Sequence, residues 1–221
     1  MFDINAFKKP LDSKLHSKYI EQLSFLILKH ILPDFSSKLE LCDAPDLQTN
    51  DKSVGVEITE AVSQIIAQIN GEHIKFRFGK KTECEKEKCK EKIEKNGGKL
   101  DDIGISYPVT NSNDEWDIFS SALKKKLKLL PSYRAKGFKK MGLFIFFDEP
   151  PIPFDPEVAM ERFAKIQNES KNQYDFLFFS FRNGVIGYDF SKMTHKFFNI
   201  ESDAFDDLSL RARKQVEELV L

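Results

Sequence analysis

Apolar residues recur at helical spacing from Lys14 to Leu32, where Tyr19, Leu23, Ile27 and Ile31 form one stripe and Ile20 and Leu28 widen it. Ser13 is placed to cap this helix and Pro33 to stop it; the residues up to Ser13 read as an extended arm. The period then changes. From Leu39 to Glu60 the pattern predicts two short strands and a turn. Leu39 and Leu41 share one side, and the ladder ends at Ala44-Pro45-Asp46 because proline has no N–H to donate. Val54, Val56 and Ile58 then alternate with Gly55, Glu57 and Thr59, the period of two of a pleated strand.

Beyond it, Ala61–Asn70 predicts a short helix and Ile74–Phe78 a brief extended piece. Lys81–Lys95 predicts a solvated helix of mixed charge with only Cys84, Cys89 and Ile93 to bury, ended by Asn96-Gly97-Gly98. A short strand is expected around Ile103–Tyr107 and a loop over Asn111–Asp114. The next helix, Asp114–Leu130, carries a stripe of Ile118, Ala122, Leu123, Leu127 and Leu130, with Pro131 as its stop. Met141–Phe147 is almost continuously apolar, as in a strand covered on both faces. Asp148–Pro151 and Pro153 form the loop after it.

Pro156–Gln167 predicts a helix with Val158, Phe163 and Ile166 inward. Tyr174–Phe181 and Val185–Phe190 predict a hairpin about Arg182-Asn183-Gly184. A short strand at Phe197–Ile200 and a helix over Asp206–Leu221 close the chain. This order predicts a single three-layer α/β domain with a central mixed sheet flanked by helices. Its core is expected over residues 14–150, with 151–221 adding the hairpin and the last helix.

Composition changes the picture in a few places. The 221 residues are 41% hydrophobic and 31% charged, enough to bury a core. The net charge of −1 neither favours nor excludes a polyanionic partner, but its distribution is uneven: from Lys124 to Lys140 every charged residue is basic. The odd cysteine count (Cys42, Cys84, Cys89) predicts free thiols in a reducing compartment, and no apolar stretch approaches a membrane span. With Met1-Phe2-Asp3 opening on an acid, no signal peptide is expected and the location expected is cytoplasmic. His16, His30, His73 and His195 are scattered without zinc-ligand spacing, and Gly-rich phosphate loops and the Gly-x-Ser-x-Gly elbow are absent.

The chemistry centres on two acids. Asp46 at a strand end lies near a strand presenting Glu57, and carboxylates brought together repel unless a proton or cation sits between them. A hard divalent cation is the usual resident of such an oxygen site. Asp43, which continues the Leu39/Leu41 parity, is an alternative to Asp46; Glu60 and Gln48 are secondary candidates.

Pro45-Asp46, a short gap, and Glu57 within Val-Gly-Val-Glu-Ile-Thr resemble the PD-(D/E)XK nuclease superfamily, the restriction-endonuclease-like fold. The resemblance implies a divalent-metal-dependent nuclease hydrolysing phosphodiester bonds, with DNA as the expected substrate. It implies Mg2+ (or Mn2+) held by Asp46, Glu57 and the Ile58 carbonyl, with Glu21 of the first helix in support. The family lysine falls at position 59, where this chain has Thr59, whose hydroxyl supplies no charge. Some branches of the family place that lysine on a core helix, and the segment from Ile118 to Tyr133 looks like such a relocated site.

Lys125 and Lys128, three apart, share a helix face and are the expected donors, while Lys124 and Lys126 point away from that face. Lys124, Lys125, Lys128, Arg134 and Lys136, with Lys139 and Lys140, are the expected phosphate contacts. The expected partners are nucleic acid and a second copy of the chain as a homodimer, with no membrane. The missing lysine at 59 also motivates a second reading, a catalytically inactive member of the same fold that binds nucleic acid or protein.

Overall fold

The fold is described from a computed structural model, covering residues 11–79, 81–100, 104–108, 112–147 and 155–219. Most of the expected N-terminal arm and the Asp148–Pro153 loop fall outside these residues. In chain order the elements are α1 (His16–Ile31), α2 (Pro33–Ser36), β1 (Glu40–Leu41), β2 (Leu47–Gln48), β3 (Val54–Glu60), α3 (Gln64–Phe78), α4 (Glu83–Lys95), β4 (Lys99–Leu100), β5 (Ile105–Ser106), α5 (Ser112–Leu127), α6 (Leu130–Ala135), β6 (Lys140–Phe146), α7 (Pro156–Ser170), β7 (Phe176–Phe181), β8 (Gly184–Asp189), β9 (Thr194–Asn199) and α8 (Ser202–Glu218). They fall into two compact units, one of Leu11–Ala61 with Trp116–Leu221 and one built from Val62–Glu115.

The larger unit holds a seven-stranded mixed sheet in the order β1-β2-β3-β6-β7-β8-β9. β1, β2 and β3 form an antiparallel meander; β6 runs parallel to β3, and β7 parallel to β6. β8 and β9 return antiparallel, so the C-terminal hairpin continues the same sheet. Alternation along each strand sends side chains to two separate cores. Val56, Ile58, Phe144, Phe146, Phe178 and Val185 pack with α1 and α8 through Leu23, Ile27, Phe205 and Ala212. Leu143, Ile145, Leu177, Phe179 and Tyr188 pack on the other face with α5, α6 and α7 through Leu123, Leu127, Tyr133 and Phe163. This is the three-layer α/β arrangement with a mixed sheet that the element order predicts. Each fully buried Leu, Ile or Phe contributes about 1.5–3 kcal/mol, so cores on both faces fix β3 and β6 firmly.

Two local expectations change in this unit. The helix expected to run to Leu130 ends at Leu127, and Pro131 begins α6 rather than stopping α5. Proline is favoured in a first turn, where its missing N–H would be unpaired in any case. In α7, Phe163 and Ile166 are buried as expected, but Val158 is exposed at 45%, and Ala159 and Met160 are buried in its place. The loop expected at Asn111–Asp114 also gives way, because α5 already begins at Ser112.

The smaller unit pairs α3 with α4 and carries the two-stranded β4–β5 ladder. Residues 74–78, expected to be extended, complete α3 instead. Thr82 caps α4 with a capping box to Glu85. Cys89 and Ile93 are buried and Cys84 is exposed. Among the described residues, no helix is long and apolar enough to cross a membrane.

Candidate active site

The alternation of β3 turns Glu57 toward the α5–α6 layer, on the same face as its parallel neighbour Leu143. There it is 4% exposed. An isolated buried carboxylate is costly, so its partners matter. Lys126 Nζ stands 2.5 Å from Glu57 Oε1, and the Tyr133 hydroxyl donates to Glu57 Oε2 at 2.6 Å. Both oxygens of Glu57 therefore meet a donor. Tyr174 in turn donates its hydroxyl to the Lys126 carbonyl at 3.0 Å and so braces the end of α5. Burial, and then the bond to Glu57, push the Tyr133 hydroxyl well above the usual phenol range, so it acts as a donor.

Asp46 reaches the same place through strand register. Leu47 pairs with Val56 and Gln48 with Gly55. One step further, Asp46 falls opposite Glu57 and Pro45 opposite Ile58. In such a ladder the Ile58 N–H and C=O both face the neighbouring strand. Pro45 has no N–H to give the Ile58 carbonyl. The Ile58 N–H is taken instead by Asp46 Oδ2 at 2.6 Å. Gly55 makes room for this turn, since a Cβ there would lie 2.7 Å from Pro45 Cγ and 2.8 Å from Met141 Sδ. Burial, and next the charge of Glu57, raise the Asp46 carboxyl to about 7, while the Ile58 amide and Lys126 pull it down.

These groups fit a hard cation in their chemistry. Asp46 and Glu57 are oxygen donors close enough for each to feel the other's charge, and the raised Asp46 carboxyl marks negative charge crowded in a partly dry site. Mg2+ commonly binds through one or two carboxylates and keeps several waters. Among the described residues, no group of three or more His, Cys, Asp or Glu side chains is arranged to hold a metal ion. Glu21 accepts from the Ser17 hydroxyl at 3.0 Å, and its charge is felt at Asp46.

The basic residues are distributed differently from the sequence expectation. The lysine on Glu57 is Lys126, not Lys125 or Lys128. Lys126 lies three and four residues beyond Leu123 and Ala122, so it continues the buried stripe of α5. Lys124, Lys125 and Lys128 are exposed, and Lys128 already lies past the helix end. Arg134 is no free phosphate contact. Its guanidinium donates to the Phe138 and Lys139 carbonyls and pairs with Asp175 Oδ2 at 2.7 Å, which also receives the Met141 N–H at 2.7 Å. Lys136, Lys139 and Lys140 are exposed.

Of the secondary candidates, Asp43 is exposed, Gln48 is half-buried on β2, and Glu60 lies 2.9 Å from His16 Nε2. Thr59 shares the face of Glu57. Lys126, Tyr133 and Tyr174 are the residues that the sequence pattern did not single out as a set. No family model, curated protein sequence or solved structure significantly matches the chain.

Proposed function

We propose that this chain is a divalent-metal-dependent phosphodiesterase of the PD-(D/E)XK kind, acting on DNA in the cytoplasm. The observation that carries the reading is the convergence of Asp46 with a Glu57 that receives both Lys126 and Tyr133. The chain supplies these groups in order: α1, the aspartate before β2, the glutamate on β3, the lysine and tyrosine of α5 and α6, then parallel β6. That is the order of the resembled family, with its lysine moved to a core helix.

Asp46, Glu57 and the Ile58 carbonyl would hold Mg2+ or Mn2+, with Glu21 behind them. A bound divalent cation lowers the pKa of its water and offsets charge on the phosphate. Tyr133 fixes the Glu57 carboxylate in one orientation. Lys126 would supply the positive charge that Thr59 cannot, beside the carboxylate that would hold the cation. Partial burial keeps that charge weakly screened.

Nicking of supercoiled DNA with Mg2+ or Mn2+ tests the reading. Wild type is expected to nick, and Glu57→Gln and Lys126→Met to lose at least about a hundredfold, the scale of removing one preorganised electrostatic group. Undiminished activity in Glu57→Gln refutes the assignment.

One observation favours a non-catalytic binding module instead. Both Glu57 oxygens already meet a donor, which leaves the residue less open to a cation. Calorimetry with Mn2+ separates the two readings, since absence of binding at millimolar metal supports the module.

A further inference from the structure

We propose that Lys52 and Lys136 form a phosphate track that holds a DNA strand on the β2–β3 turn side of Asp46 and Glu57. The proposal rests on the nuclease reading of that site and names the flank by which its substrate is held.

Lys52 sits in the β2–β3 turn with φ of 55°. The left-handed region costs an ordinary L-residue about 1–2 kcal/mol and favours glycine or asparagine. The turn is fixed around it: the Lys139 N–H donates to the Lys52 carbonyl at 3.2 Å and the Lys140 N–H to the Ser53 carbonyl at 3.0 Å. The side chain runs to α6, where Nζ donates to the Lys136 carbonyl at 3.3 Å. Lys136 Nζ donates in turn to the Ala44 carbonyl at 3.3 Å, immediately before Pro45-Asp46. It also stands 5.6 Å from the centre of the Tyr133 ring, whose hydroxyl holds Glu57. Two ammonium groups thus lead from the turn to the site.

Their charges are not neutralised. Each of these hydrogen bonds is to a neutral carbonyl, and each ammonium keeps further donors for an anion. Among the described residues neither lysine forms an ion pair, whereas Lys75, Lys81, Lys86, Lys90 and Lys92 each meet a glutamate. The acids of this flank are Asp43, exposed; Glu40, which accepts from the Asn50 amide at 3.2 Å; Asp51, whose carboxylate receives the Ser53 N–H and feels Lys139; and Asp175, which is held by Arg134 and the Met141 N–H. At the last position of β3, Glu60 stands 2.9 Å from His16 Nε2, and Glu21 adds negative charge felt at Asp46 itself. A polyanion seated at Asp46 is drawn toward Lys136 and Lys52. Lys125, on α5, and Lys128, just past its end, are exposed, and the lysine that reaches Glu57 is Lys126.

The test is a salt titration of DNA binding by the wild-type chain in EDTA, read by anisotropy of labelled single-stranded and duplex oligonucleotides. Lys52→Asn keeps a residue that tolerates the left-handed turn, and Lys136→Gln keeps a hydrogen-bond donor. Each is expected to lower the slope of log K against log salt by about 0.7–0.9, the value of one phosphate contact. The double variant Lys125→Gln/Lys128→Gln is expected to leave it unchanged.

With Mg2+, the track variants should raise KM for DNA by a larger factor than they lower kcat. Unchanged slopes in Lys52→Asn and Lys136→Gln, an equal loss in the α5 variant, or no DNA binding by wild type overturns the track. If wild type binds but cleaves nothing, the nuclease reading fails and the slopes still decide the track. If cleavage persists with unaltered slopes, the track fails and the nuclease reading stands.

Discussion

At the scale of single residues, Glu57 and Lys126 make opposite demands on the chain. Glu57 is nearly sealed from solvent, and the Lys126 side chain is 17% exposed. Breaking such a pair by removing one member leaves a buried charge without its partner, a loss of about 3–5 kcal/mol. Lys126→Met is therefore expected to lose both activity and stability, visible as a lower midpoint in urea. Glu57→Gln keeps one acceptor oxygen, enough for Lys126 or Tyr133 but not both, turns an amide NH2 toward the other donor and leaves Lys126 without a counter-charge, so it too is expected to lose both activity and stability. Tyr133→Phe isolates the orienting bond. It removes one hydrogen bond to a charged group, about 1.5–3 kcal/mol, and leaves Lys126 in place. Its expected signature is a lower kcat with the DNA-binding salt slope unchanged, measured on the same oligonucleotide.

At the scale of elements, the site exists because β2 begins only after Pro45-Asp46. Gly55 lets the Pro45 ring lie against β3, so Gly55→Ala should push the turn and Asp46 away from Glu57. Gly142→Ala is the contrasting case. Its Cβ would fall 2.0 Å from Phe176 on neighbouring β7, on the sheet face of its partner Val56 and opposite to that of Glu57. Both changes overpack a strand, typically about 1–3 kcal/mol. The first is expected to lose nicking activity out of proportion to its urea midpoint, and the second the reverse.

The same elements show what was legible in the sequence. Pro45, Asp46 and the alternation of Val54–Ile58 announced the acids and the strand that carries Glu57, because period two and a missing N–H are local properties. The spacing points to Lys125 or Lys128, whereas the lysine bonded to Glu57 is Lys126. Its face depends on which stripe of α5 is buried, and Lys126 interrupts an otherwise apolar stripe with a charge whose partner is 69 residues away. Over residues 74–78, Phe76 and Phe78 favour a strand locally, but packing of α3 on α4 completes a helix. Pro131 was read as a stop because proline ends one helix and begins the next by the same missing donor.

At the scale of the whole molecule, the crowded acids make stability depend on pH and on metal. The Asp46 carboxyl stands at about 7 in the folded chain, against about 3.9 for an unfolded aspartate. Below the lower value both states hold the proton, and the protonated carboxyl's contribution to stability is fully present. As pH rises between the two, the folded chain still holds a proton that the unfolded chain has released, so folding stability falls. The slope is at most about 1.4 kcal/mol per pH unit, an upper bound of order 4 kcal/mol in all, since the site is only partly buried. Above pH 7 the loss is complete.

His73 works in the other direction in the same window, because burial lowers its pKa and stability is lost as pH falls. The bonded acids Asp51, Glu72, Glu85 and Asp189 are held low, so their losses come only at more acidic pH. Urea unfolding at pH 5, 6, 7 and 8 in wild type and Asp46→Asn cancels these common terms. The wild type is expected to lose stability relative to the variant from pH 5 to 7. Mg2+ requires the ionised carboxylate, so its stabilisation of wild type should be larger at pH 8 than at pH 5 and absent in Asp46→Asn. Parallel pH curves for the two proteins would show that Asp46 does not hold the extra proton, and equal Mg2+ effects in both would place the cation elsewhere.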